Sequence, residues 1–144
     1  MISQTAEYAL RAIVALAQNP ETPLTTVEIA RLTKVPESYL SKVLHALAKG
    51  GIVHSKRGLH GGYALSLPVD EISLLNVINA VDPIKQIESC PLKLNTHANN
   101  LCSLHRRINQ SIKLMEDVFR NATIQTILDE PTNSTPLCEN LPPE

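Results

Sequence analysis

All five glycines of this 144-residue chain fall between Gly50 and Gly62. Glycine adopts positive φ angles without a steric penalty, so such a cluster is typical of a tight hairpin with unusual backbone angles. Two strand candidates flank it, residues 52–55 and residues 63–67, and the second alternates in polarity. The segment therefore predicts a glycine-rich β-hairpin with Lys56 and Arg57 near its turn.

Two helix-length patterns precede this hairpin. Thr25 and Glu28 form a capping-box pattern at the start of one helix, and residues 33–36 are predicted to be the turn that ends it. A second helix is predicted from about Glu37 to Lys49, with its apolar residues three and four positions apart. Two helices of helix-turn-helix size followed by a basic hairpin predict a winged helix.

The rest of the chain is predicted to be mainly helical. Helices are expected over residues 3–19 and 73–81, and a loop over residues 84–100. A long helix over residues 101–121 carries an apolar stripe that needs a partner, either the first helix or a second subunit. The stripe consists of Leu101, Leu104, Ile108, Ile112, Met115 and Phe119.

Charge is distributed unevenly along a chain whose net charge is only -1. Six basic residues and one acidic residue, Glu37, lie between Arg31 and Arg57. This excess indicates either a solvated helix surface or a face that accepts phosphates.

Several classes of protein are disfavoured. No apolar run is long enough to span a bilayer, and the N-terminus lacks a signal-peptide pattern, so a cytoplasmic protein is expected. The sequence has no recognisable nucleophile motif, phosphate-binding loop or pair of catalytic carboxylates. We therefore expect neither enzymatic activity nor a small-molecule substrate.

The second helix of a helix-turn-helix enters the major groove, where its N-terminal residues contact base edges. The hairpin would place Arg57 at the minor groove, where a narrow groove attracts a guanidinium group. The alternative is a winged helix that binds only protein. The candidate DNA-binding residues are Thr26, Glu37, Ser38, Tyr39, Ser41, Lys42, Lys56, Arg57, Gly58, His60, Gly61 and Gly62.

Several segments closely resemble the Rrf2-type winged-helix transcription regulators, which include IscR-like and NsrR-like proteins. The resemblance implies a homodimer that binds a pseudo-palindromic operator in double-stranded DNA, usually as a repressor. It divides residues 1–130 into a DNA-binding domain (1–83), a sensor loop (84–100) and a dimerisation helix (101–130). The tail (131–144) is predicted to be disordered from its Pro-, Thr-, Asn- and Ser-rich composition. The matching segments are residues 7–11, 38–40, 50–53, 56–58, 61–65 and 72–78.

The resemblance also implies an iron–sulfur cluster at the dimer interface, because many members of the family hold one with cysteines around this loop. Here Cys90, Cys102 and His105 fit the family spacing, although the middle cysteine is absent. Imidazole can replace thiolate on one iron, so a 2Fe–2S cluster with mixed ligands is the leading expectation. The fourth ligand could be His97, or Glu7 from the partner subunit. The signal would be iron–sulfur status, redox state or nitric oxide.

Three alternatives remain open for the cysteines. Cys90, His97, Cys102 and His105 form a Cys₂His₂ set suitable for zinc. Cys90 and Cys102 could instead act as a metal-free thiol sensor, or the regulator could answer to a partner protein. The cysteines could also have no function. We assign no role to Cys138 in the tail.

Overall fold

A computed structural model of the chain describes residues 2–97, 100–131, 134 and 136. These residues form a mainly helical structure with one two-stranded antiparallel hairpin, as the sequence predicts. The elements are α1 (Gln4–Ala17), α2 (Thr26–Thr33), α3 (Glu37–Lys49), β1 (Val53–Lys56), β2 (Gly62–Leu65), α4 (Leu74–Val81), α5 (Ser103–Asn121) and α6 (Ile124–Asp129), with a 3₁₀ turn at Asn95–His97 before α5.

Side-chain caps fix where most of the helices begin. The predicted capping box of α2 is present, since the Thr25 hydroxyl accepts from the Glu28 amide while the Glu28 carboxylate accepts from the Thr25 amide. Ser73 and Asn76 form a second box at α4. The C-cap residue of α2 is Lys34, whose backbone is left-handed, with φ at 59°.

Helix α1 lies at the centre of the core and packs against α2, α3, α4, β2 and α6. Small residues such as Ala9 and Ala12 are fully buried on it and let neighbouring helices approach closely. Leu40, Leu44 and Leu47 of α3 face this core without measurable exposure. Burial of one such side chain contributes about 1.5–3 kcal/mol, so the position of α3 depends on its packing against α1.

The C-terminal end of α5 is joined to this core. The Ala122 carbonyl accepts from the Leu74 amide, and the Ile72 carbonyl accepts from the amide of Ile124, which is fully buried. Along α5 itself none of the described residues is buried, and its main neighbour is α4. Leu104 is 62% exposed, so part of the predicted apolar stripe stays uncovered within one chain.

The tail prediction falls mostly on residues 132–144, of which only 134 and 136 are described. The Pro136 carbonyl accepts a hydrogen bond of 2.7 Å from the Gln18 side chain at the end of α1. Cys138 lies outside the described residues. No helix in the described part of the chain has the length and apolar character needed to cross a membrane.

Candidate nucleic-acid interface and sensor loop

The first turns of α3 present a polar surface. Glu37, Ser38, Ser41 and Lys42 are all exposed, on the side of the helix away from Leu40 and its buried neighbours. The Ser41 hydroxyl donates to the Glu37 carbonyl at 3.1 Å, which leaves its oxygen able to accept a further hydrogen bond. The surface therefore offers hydroxyl groups and one ammonium group to a ligand.

The hairpin presents a second surface, and this one is basic. Lys56, Arg57, Gly58 and His60 are exposed, whereas Gly61, Gly62 and Thr26 are partly buried. No ion pair holds Lys56 or Arg57 within the described residues. Their charges are thus available to a phosphate backbone.

Two of the glycines are required by close packing inside the hairpin. A Cβ atom on Gly61 would lie 2.4 Å from the Lys56 carbonyl oxygen. One on Gly62, where φ is 151°, would lie 2.6 Å from the carbonyl of Leu24. Backbone packing, independent of any contact with DNA, therefore accounts for these two glycines of the cluster.

Tyr39 differs from the other predicted DNA contacts of α3 because its side chain is engaged with another helix, α1. Its hydroxyl shares a hydrogen bond of 2.6 Å with the Thr5 hydroxyl of α1. Its ring meets the ring of Tyr8 edge to face, with centroids 5.4 Å apart. No local sequence pattern indicates this contact, because the two residues are 34 positions apart.

Two of the predicted sensor residues come together at the start of α5. Cys102 is the N-cap residue, and its sulfur lies 3.4 Å from Nδ1 of His105. Both side chains are partly buried. Cys90 lies in the preceding loop and is only 5% exposed, in a turn closed by a hydrogen bond from the Lys93 amide to the Cys90 carbonyl.

A residue that sequence reasoning missed holds this loop against α5. The side-chain amide of Asn109 both donates to the Ile87 carbonyl and accepts from the Ile87 amide, each at 2.8 Å. The only available signal was the presence of asparagine, a poor helix former, in the interior of a long helix. This paired contact fixes the loop three residues before Cys90.

The remaining candidate ligands are placed apart from that pair or engaged elsewhere. The Glu7 carboxylate accepts from Arg11 Nε at 2.6 Å. His97 has a buried Nδ1 atom with no hydrogen-bond partner among the described residues. Thiolate and imidazole suit iron–sulfur clusters and zinc, yet the described residues contain no group of three or more such donors close enough to bind a metal. A complete site would need Cys90, or a group from a second chain, to join Cys102 and His105.

Comparison with known proteins identifies the family. The model of the Rrf2 family, described as iron-dependent transcriptional regulators, matches residues 2–130. The chain belongs to the Rrf2 family. An Aquifex aeolicus protein named as an HTH-type transcriptional regulator is 32% identical over 132 residues, which cover 90% of this chain and 92% of the relative. A Neisseria meningitidis protein named in the same way is 28% identical over 127 residues, covering 88% of this chain and 86% of its own.

Solved structures agree on the fold. IscR of T. potens superimposes with a TM-score of 0.74 at 22% identity, covering 93% of both chains. CymR of B. subtilis, the global cysteine regulator, also has a TM-score of 0.74, at 23% identity and 92% and 98% coverage. The oxidized form of Staphylococcus aureus CymR reaches 0.73 at 25% identity, covering 93% of this chain and 99% of its own. The protein is thus a transcription regulator of the Rrf2 family with a winged-helix fold, a class of proteins that are generally not enzymes.

Proposed function

We propose that this protein is a homodimeric, cytoplasmic transcription repressor that binds a specific operator in double-stranded DNA. The observation that carries the proposal is the exposed first part of α3, which is followed by a basic wing. Ser38 and Ser41 present hydroxyl groups there, and Lys42 has no ion-pair partner within the described residues. Serine hydroxyls can donate to or accept from several bases, and Lys42 suits guanine or a phosphate.

The wing and α2 would supply the remaining contacts. Arg57 at the exposed tip of the hairpin suits a narrow minor groove, and Lys56 and His60 suit the phosphates beside it. Thr26, the first residue of α2, would contact a phosphate through its hydroxyl or through the amides of that helix end. Gly58, Gly61 and Gly62 would act indirectly by shaping the hairpin, and Glu37 would discriminate among bases by accepting from cytosine.

Dimerisation through α5 would bring two such surfaces onto one operator. Leu114 and Val118 are 68% and 65% exposed, one helical turn apart, and Leu104 and Ile108 have the same spacing nearer the N-terminus. Apolar side chains left uncovered along a helix of 19 residues favour a partner of similar character, and a second copy of the helix meets that need.

For the effector we propose an iron–sulfur cluster, with Cys90, Cys102 and His105 as ligands from the chain. The pairing of Cys102 with His105 and the unpartnered buried Nδ1 of His97 support this choice, and Glu7 of a partner subunit is a further candidate ligand. Such a cluster would supply a group sensitive to oxidants and nitric oxide. The residues of this chain would hold it beside the dimer helix, where its loss would alter the angle between the two DNA-binding domains.

A second candidate is control by cysteine oxidation or by a partner protein without any cluster. It is favoured because the described part of the chain offers two thiols, one buried and one partly exposed, whereas a cluster needs four ligands. One of the solved structures with a similar fold is that of the oxidized form of Staphylococcus aureus CymR.

DNA binding is tested by selecting duplexes from a randomised library and then measuring affinity for the enriched sequence against salt concentration. A specific regulator should enrich one sequence and lose affinity steeply as salt rises. Failure to enrich any sequence, with no salt-dependent binding, would mean that the winged helix serves another purpose.

The effector is tested on protein purified without oxygen, by absorption spectroscopy with iron and sulfide analysis. The cluster proposal predicts matching iron and sulfide contents that are lost in Cys90→Ala and Cys102→Ala but kept in Cys138→Ser. If the protein is colourless and free of iron, and its DNA affinity changes on oxidation, the thiol mechanism replaces the cluster proposal. Zinc analysis would identify the remaining alternative, a zinc site.

A further inference from the structure

Helix α3 begins without a capping side chain. Its N-cap residue is Pro36, which forms no side-chain cap hydrogen bond in the described structure. The turn before it contains Lys34 in a left-handed conformation and the buried Val35. The end of α3 that carries Ser38, Ser41 and Lys42 is therefore not fixed by local contacts of the usual kind.

Residues of α1 supply the missing contacts from a distance. Thr5 bonds the Tyr39 hydroxyl at 2.6 Å, and the Tyr8 ring packs edge to face on the Tyr39 ring at an interplanar angle of 86°. Tyr8 is itself held, because its hydroxyl accepts from Gln4 Nε2 at 2.8 Å and the Arg11 guanidinium lies 5.7 Å from its ring centroid. An edge-to-face aromatic pair of this kind adds stabilisation beyond the area it buries.

The same face of α1 also contacts the other side of the turn. Arg11 Nη1 donates to the carbonyl of Thr33, the last residue of α2, at 3.0 Å. Tyr39 and Thr33 stand at opposite ends of the connection between α2 and α3. One helix face thus holds both ends of the turn that sets the angle between the two helices.

We infer that Tyr39 is a positioning residue, which acts through Thr5 and Tyr8 to fix the start of α3 for reading base edges. Its hydroxyl already shares a hydrogen bond with Thr5, so the inference assigns that group a role inside the protein and not at a base edge. Thr5, which lies on α1, would influence sequence discrimination although it belongs to neither the helix-turn-helix nor the wing. This inference rests on the proposed DNA-binding function and specifies how its recognition helix is oriented.

The test is a double-mutant cycle of Tyr39→Phe and Thr5→Val, read out as the ratio of affinities for two duplexes. One is the duplex most enriched from a randomised library by the unmodified protein, and the other is a scrambled duplex of the same composition. Each single variant removes one hydroxyl and should lower the ratio about three- to tenfold. The double variant should lose no more than either single one, because both remove the same hydrogen bond.

Thr5→Ser, which keeps the hydroxyl, should restore the ratio of the unmodified protein. A purely structural contact would lower the melting temperature and leave the ratio unchanged, which would overturn the inference. A loss in Tyr39→Phe without any loss in Thr5→Val would also overturn it, by showing that Tyr39 contacts DNA directly. If the unmodified protein enriches no duplex, the DNA-binding proposal fails first and the inference fails with it.

Discussion

Leu24 and Tyr63 exchange both of their backbone hydrogen bonds, at 2.7 and 3.0 Å. Leu24 immediately precedes Thr25, the N-cap of α2, and Tyr63 belongs to β2 of the wing. The wing is therefore joined directly to the start of the helix-turn-helix, although the two segments lie far apart in the sequence. Distortion of the hairpin should consequently alter the positions of both the wing and the helix-turn-helix.

Substitution of Gly62 by alanine should disrupt this junction. The added Cβ would collide with the Leu24 carbonyl, and the residue would be held at a φ of 151°. We expect Gly62→Ala to lower the free energy of unfolding by about 2–3 kcal/mol, measured by urea denaturation. Gly51→Ala is the matched control, since its φ is also positive but nothing lies within 4 Å of the new atom. Equal losses in the two variants would show that backbone conformation alone, and not the junction, matters.

Removal of the exposed charge at the wing tip should weaken DNA binding without affecting the fold. Arg57→Ala is expected to reduce the slope of log affinity against log salt concentration by about one, because one fewer counterion is released. Lys113→Ala, an exposed charge on α5, is the control and should leave the slope unchanged. An unaltered slope in Arg57→Ala would place the wing away from the DNA.

The capping box of α2 should make stability depend on pH. The backbone amide of Thr25, and then its hydroxyl, hold the pKa of Glu28 below its usual range. A carboxylate whose pKa is lower in the folded state stabilises the protein above its unfolded pKa, and this contribution is lost as the pH falls through the folded value. Melting temperatures recorded from about pH 6 to about pH 3 should therefore fall less in Glu28→Gln than in the unmodified protein. If the melting temperatures of the two proteins fall equally with pH, the charge of the Glu28 carboxylate contributes nothing to stability.

Loss of the contact between Asn109 and Ile87 should expose Cys90. Asn109→Ala removes both hydrogen bonds that hold the loop, and two such bonds contribute about 1–3 kcal/mol. The rate of Cys90 alkylation, followed by mass spectrometry of the individual peptides, should rise about tenfold. Gln110→Ala, at the exposed neighbouring position, should leave that rate unchanged. An unchanged rate in Asn109→Ala would show that other contacts keep Cys90 buried.

Local signals explain which elements could be predicted from the sequence. The bounds of α3 agree with the prediction because Pro36 and Gly50 flank it, and the start of α2 agrees because Thr25 and Glu28 form their box within three residues. The predicted hairpin is present, although the bounds of each strand differ by one or two residues from the predicted ones.

Local sequence patterns could not predict the contacts that shape the two candidate sites. The pair of Tyr39 with Thr5 spans 34 positions, and the pair of Asn109 with Ile87 spans 22. The first depends on how two helices pack and the second on how a loop lies against a helix, and periodicity specifies neither. Cys102 and His105 lie three residues apart on one helix end, so their proximity could be expected, whereas the position of Cys90 in its loop could not.

The attachment of α5 has a mechanical consequence. Its C-terminal end is held by a hydrogen bond to Leu74 of α4 and by the buried Ile124, while Cys102, at the other end, lies 19 residues before Asn121. At 1.5 Å per residue the helix is a lever about 28 Å long. A tilt of about 5° at its base would displace the far end by roughly 2.5 Å, which is comparable with a metal–ligand bond length. For the cluster proposed above, small changes in ligand bonding at one end would therefore match small rotations at the other end of the helix.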